Sequence, residues 1–208
     1  MVFVEFWERS CDMKNGAFLQ SLKKVQYVIL AGIISLAVLS GQANAAEAII
    51  GKTTLSPGIA VVFEGAVKDQ VWPPQQHLAE MQTDVHLEAR VNWSTAEKVE
   101  LPEGTPGGGF VPYLHINAEV TNERTGKQEV VTLIPHINLV DNFHYARNIS
   151  LPGNGNDSYT IRFFVNPPGK FELSYHRDWQ ENYGNSLFQA DTLTYRGVSF
   201  AEIVDLTR

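Results

Sequence analysis

Cysteine is almost missing from this chain. The only one in 208 residues is Cys11, and it falls in a segment that reads as a removable leader. Methionine is nearly as scarce: of three, only Met81 lies beyond that leader. These absences exclude disulfide staples, thiolate nucleophiles, structural cysteine–zinc sites and a His/Cys blue-copper site from the mature chain. Helical periodicity is also nearly absent after the leader, with at most one turn around 75–81. No Ser/His/Asp signature, paired-carboxylate motif or phosphate-binding loop supports hydrolase or transferase chemistry. Gly107-Gly108-Gly109 lacks the Lys-Ser/Thr that would make it a phosphate cradle, and reads as a flexible loop.

The leader itself is legible. Lys23 and Lys24 precede an apolar run from Val28 to Leu39, and Ala43-Asn44-Ala45 supplies the small-x-small pattern of a signal-peptidase site. The run is shorter than the about 20 residues of a membrane-spanning helix. The expectation is cleavage after Ala45 and export out of the cytosol, with no membrane insertion afterwards. Glu5, Glu8 and Asp12 precede the basic pair, which is unusual for a signal, and Met13-Lys14 is a more natural start. The expected organisation is residues 1–45 as signal peptide and 46–208 as one domain. The leader holds four of the 16 basic and three of the 23 acidic residues, leaving twelve against twenty and a net charge of −8. That balance argues against nucleic acid and anionic membranes as partners.

What remains is rich in short β-forming runs separated by turn signals. Residues 58–67, 82–93, 111–120, 127–137, 143–151, 158–165, 170–176 and 191–200 each read as a strand. "LPEGTPGGGF", "TNERTG" and "PGNGND" punctuate them. The fold class expected is all-β, an immunoglobulin-like antiparallel β-sandwich of seven to eight strands.

All six histidines lie beyond the leader. In "QTDVHLEARVNW" the apolar series Val85, Leu87, Ala89, Val91 alternates with a polar series that contains His86 and Glu88. A His and a Glu two residues apart on one face are either solvated decoration or half of a metal site. His136 and His144 stand at the two ends of "PHINLVDNFHY". Pro135 suggests that a strand stops there and that His136 opens a loop, so the two rings could converge. His115 reads as an ordinary solvent-facing residue, His176 as the end of a strand next to Arg177-Asp178, and His77 as an exposed loop residue. Imidazoles with one carboxylate and one thioether suit copper or another late first-row metal. Three Asn-x-Ser sequons, at Asn92, Asn148 and Asn156, would matter only in a eukaryotic secretory pathway.

"DVHLEARV", "GGGFVPYLHINAEVTNERTGKQEVVTLIP" and "HYARNISLPG…YTIRFFVNPP" together resemble the periplasmic high-affinity iron-transport proteins. These are small copper-binding β-sandwich partners of an inner-membrane iron permease in bacteria. The resemblance spans roughly residues 82–178. It implies that His86 and Glu88 are metal ligands, that His144 is the histidine of the family's His-Tyr motif, and that His176 is the later histidine following a Pro-Pro pair. The family's loop methionine falls where this chain has His136. The loop is one residue longer, and Asp141-Asn142-Phe143 replaces Asp-Gly-Pro. Met81 could approach the site from the preceding loop. The resemblance further implies copper as cofactor, iron as the transported ion, a permease partner and a homodimer with metal sites near its interface. A copper held by imidazoles and a carboxylate could also oxidise ferrous iron. Two other readings stand beside this one: an adhesion or assembly sandwich with incidental histidines, and a secreted copper-dependent oxidase. Convergence of His86, His136, His144 and His176 is what separates the first reading from the adhesion sandwich, and an enzyme would need an open coordination position in a substrate-sized cleft.

Overall fold

Alternating apolar and polar residues make this chain a stack of half-buried ribbons. The computed structural model describes residues 47–74 and 82–206. The leader, His77 and Met81 lie outside the described residues. Eight strands form: β1 Glu47–Leu55, β2 Ile59–Ala66, β3 Val85–Trp93, β4 His115–Asn122, β5 Gln128–Asn138, β6 Asn142–Ile149, β7 Ser158–Asn166 and β8 Asp191–Ser199. Each pairs only antiparallel, in the order β1-β2-β3-β6-β5-β4-β7-β8. The expected all-β antiparallel sandwich is the one observed.

Strand β5 joins the two layers. Gln128–Leu133 pair with β4, and Ile134–Asn138 pair with β6. Pro135 lies two residues beyond the last β4 partner, at this change of neighbour. A residue without an N–H is tolerated at such an irregularity. The strand therefore runs through Pro135 instead of stopping there, and His136 is a strand residue.

Apolar side chains from both layers meet inside. Val85, Leu87, Ala89 and Val91 of β3, and Ile116, Ala118 and Val120 of β4, are fully buried. Phe63 of β2 stacks on Phe163 of β7 with ring centroids 3.9 Å apart. At the seam between the first and last strands, Gly51 lies so close to the Tyr195 ring that a Cβ would collide with it.

Two elements differ from the sequence expectation. β1 was not anticipated. Residues 170–176, expected as a strand, form none. Pro167, Pro168 and Gly169 interrupt the chain after β7, and both edges of β7 are already taken by β4 and β8. The segment runs instead into a short helix, α1 (Arg177–Tyr183).

Tyr145 of β6 fastens the long β3–β4 connection. Its hydroxyl donates to the Val111 carbonyl at 2.9 Å and accepts from the Leu114 N–H at 3.0 Å. Burial pushes the phenol up to about 12, against the Leu114 bond, which lowers it. Tyr145→Phe leaves a buried donor and acceptor without this partner, which should cost about 1–3 kcal/mol. Chemical denaturation of the two proteins measures this loss; equal midpoints and slopes would refute it.

Candidate metal centre

In an antiparallel sandwich the outer face of each sheet ordinarily meets water. On β3 it does not. His86 and Glu88 alternate with the core residues and point outward, yet they are only 3% and 1% exposed. Strand register places their neighbours. Ala66 of β2 and Asn148 of β6 flank His86. Glu64 of β2 and Ala146 of β6 flank Glu88.

The β5–β6 hairpin supplies the other two imidazoles. His136 and His144 are direct cross-strand partners, so they stand side by side on the same face. A tight turn makes this pairing. The Asn138 side-chain oxygen accepts the N–H groups of Val140 and Asp141, and Asn142 adopts a left-handed φ of 62°, which asparagine tolerates better than most residues. The Asn142 carbonyl then receives the Nδ1–H of His144 at 3.1 Å. A carbonyl can only accept, so Nδ1 carries the proton and Nε2 carries the lone pair available to a metal.

His86, His136 and His144 converge. One ligand atom from each lies within 4.8 Å of the other two. Ring centroids are 5.3 Å apart for His86–His136, 5.7 Å for His136–His144 and 6.3 Å for His86–His144. Glu88 Oε1 stands 3.6 Å from His86 Nε2. His86 and His144 are buried and His136 is half-buried at the wall of a pocket of about 410 Å³, which Trp72 and Pro73 also line.

Three imidazoles beside a carboxylate suit a divalent late first-row ion. The described residues contain neither cysteine nor methionine, so the donor set there is nitrogen and oxygen. The residues fit a metal.

His176 stands apart from the three. It is exposed, occupies the residue before α1, and lines a separate apolar groove with Trp179 and Leu187. His115 is exposed on β4 and bonds Glu172 at 2.6 Å, consistent with its ordinary reading.

Sequence reasoning passed over Glu64, Arg90 and Asn148. Glu64 is 1% exposed and faces Glu88 across the β2–β3 ladder. Burial raises its carboxyl above the ordinary glutamate range, and Arg90, which donates to Glu64 Oε1, works against that rise. Arg90 also reaches Asp141 of the hairpin turn at 3.9 Å. The alternation of β3 already put Arg90 on the His86 face; the partners came only from register.

The chain as a whole resembles known proteins. A family model described as Fe2+ transport protein matches residues 44–201. UPF0423 proteins of Brucella abortus and Brucella suis are 33% identical over 135 residues, covering 65% of this chain and 70% of the relative. Among solved structures, a copper-bound variant of Campylobacter jejuni P19 matches with TM-score 0.61 and 26% identity, covering 73% of this chain and 96% of that one. The copper-reconstituted P19 matches with TM-score 0.60 and 28% identity, covering 73% and 94%. FetP of uropathogenic Escherichia coli, at 22% identity and TM-score 0.58, covering 74% and 99%, shares the fold.

If the three imidazoles form one site, Cu(II) added to the metal-free protein raises the melting temperature and saturates at about one ion per chain. Binding at a hundred times Kd stabilises by about 2.7 kcal/mol. His86→Ala/His144→Ala should melt as before with or without the ion. A full shift in that double variant would dismiss the cluster as the site.

Proposed function

The chain belongs to the Fe2+ transport protein family, and from that premise we propose that it is a periplasmic metal-binding component of iron uptake, holding copper and presenting iron to an inner-membrane permease. The observation that carries this reading is the convergence of His86, His136 and His144 from two separate parts of the chain, with Glu88 beside them. Incidental histidines on a sandwich of adhesion or assembly type have no reason to meet, or to be buried where they meet.

Each residue has a role in this reading. The Nε2 atoms of His86 and His144, together with His136, hold copper. Glu88 offers the hard oxygen that iron favours. Bound copper supplies a one-electron centre beside the iron cargo. The signal peptide ending at Ala45 delivers the domain to the periplasm. A homodimer with the site near its interface gives His176 its place as a ligand, because a histidine outside the cluster of its own protomer can join from a second copy.

His136 sets the metal preference. A thioether at this position would favour Cu(I), and an imidazole favours Cu(II). Metal-free protein should therefore bind Cu(II) more tightly than Cu(I) relative to a His136→Met variant, in which the ratio of the two affinities moves at least about tenfold toward Cu(I). An unchanged ratio, measured by competition with chelators of each oxidation state, removes His136 from the ligand set.

The function is tested in cells. In a strain lacking the gene and starved of iron, the wild-type chain should restore ⁵⁵Fe uptake, and the His86→Ala/His144→Ala variant, exported to the same level, should not. Equal uptake with the two proteins would overturn the proposal.

A further inference from the structure

The two ring nitrogens of His86 face different surroundings. Nε2 faces Glu88 and the other two histidines. Nδ1 lies 2.6 Å from Oδ1 of Asn148, its cross-strand partner on β6. An asparagine amide can turn either end toward a histidine, so this contact alone leaves the tautomer open.

The other end of the amide closes the question. Asn148 Nδ2 lies 2.6 Å from the backbone carbonyl of Asp69. A carbonyl oxygen accepts and never donates, so the NH2 of Asn148 must face it. The Asn148 oxygen is thereby committed to His86, and Nδ1 must be the donor. A chain of three groups, Asp69 C=O, Asn148 amide and His86 ring, has one consistent assignment.

We propose that Asn148 is the positioning residue of the metal centre: it locks His86 in the Nδ1–H tautomer with Nε2 bare toward the ion, and ties that ring to the segment lining the pocket. The inference rests on the reading of His86 as a metal ligand. Asn148 is 3% exposed, so water does not compete for its two hydrogen bonds. Asp69 belongs to the pocket-lining stretch that continues to Pro73. One amide therefore sets both the ligand atom and the position of the wall beside it. His144 reaches the same tautomer through a backbone carbonyl. His86 reaches it through a side chain, which a mutation can remove.

Two substitutions separate the two roles. Asn148→Asp retains an acceptor for Nδ1–H but supplies no donor to Asp69 C=O. Asn148→Leu supplies neither. Long-range ¹H–¹⁵N correlation of the metal-free protein near pH 8 reads the tautomer directly, with no metal present. The wild type and Asn148→Asp should show His86 as Nδ1–H, and Asn148→Leu a mixture or the Nε2–H form. Cu(II) affinity should fall about 10–100-fold in Asn148→Leu and stay within about threefold in Asn148→Asp. Amide exchange of residues 68–72 should quicken in both variants.

A wild-type His86 in the Nε2–H form overturns the proposal. So does an Asn148→Leu protein with the wild-type tautomer and affinity. If Asn148→Leu does not fold, Asn148→Asp decides alone: it must keep the tautomer while exchange at 68–72 accelerates, and unchanged exchange refutes the tether. A wild type that binds no copper yet holds His86 as Nδ1–H defeats the metal reading and not the assignment of the tautomer.

Discussion

The first half of strand β3 is buried on both faces, and the site is a consequence of that constraint. Its inward face is ordinary core. Its outward face carries His86 and Glu88 where a solvated sheet would carry them in water. Burying polar and ionisable groups is costly unless they find partners. The partners are Asn148 of the adjacent β6 for His86, and Arg90 of β3 itself for the Glu64 of β2 that faces Glu88. Three imidazoles and two carboxylates in one patch create a site that a cation relieves. The same patch would be a liability in a sandwich with no ion to bind.

Sheet register, rather than loop convergence, brings the three imidazoles together. His136 and His144 are eight residues apart in sequence and directly opposite in space. The spacing suggested two ends of a loop, and the pair is in fact a rung of the hairpin. Pro135 explains the difference. A proline inside an apparent strand normally argues for a stop, and here it marks where β5 leaves β4 for β6. No local pattern announces a strand that changes partners.

Much of the fold was readable because its signal is local. Alternation in 82–93 gives β3 and the His86–Glu88 face without any knowledge of neighbours. Seven of the expected runs are strands in the structure. The run 170–176 has strand-like alternation but no free edge to pair with, a fact about β7's neighbours and not about its own residues. β1 follows the leader so closely that the two merge in composition. Glu64, Arg90 and Asn148 acquire meaning only once β2, β3 and β6 are aligned, which no spacing reveals. The family resemblance put forward His86, Glu88, His144 and His176 as ligands where local pattern left the choice open, and the first three stand together while His176 does not. It said nothing of the amide and the guanidinium that support them.

Two of the three imidazoles ride on a single hairpin whose turn residues Leu139 and Val140 are exposed, while the third belongs to the interior of the sheet. Separating β5 from β6 at that end would part His136 from His144. For any ion bound across the rung, residence time and the opening rate of the hairpin would therefore be linked. An ion bound across the rung holds the hairpin shut by its own binding free energy, and fraying at the turn opens a route for its departure. In the proposed function, release of a cation would then depend on kinetics at this one β-turn, whose Leu139 and Val140 face solvent.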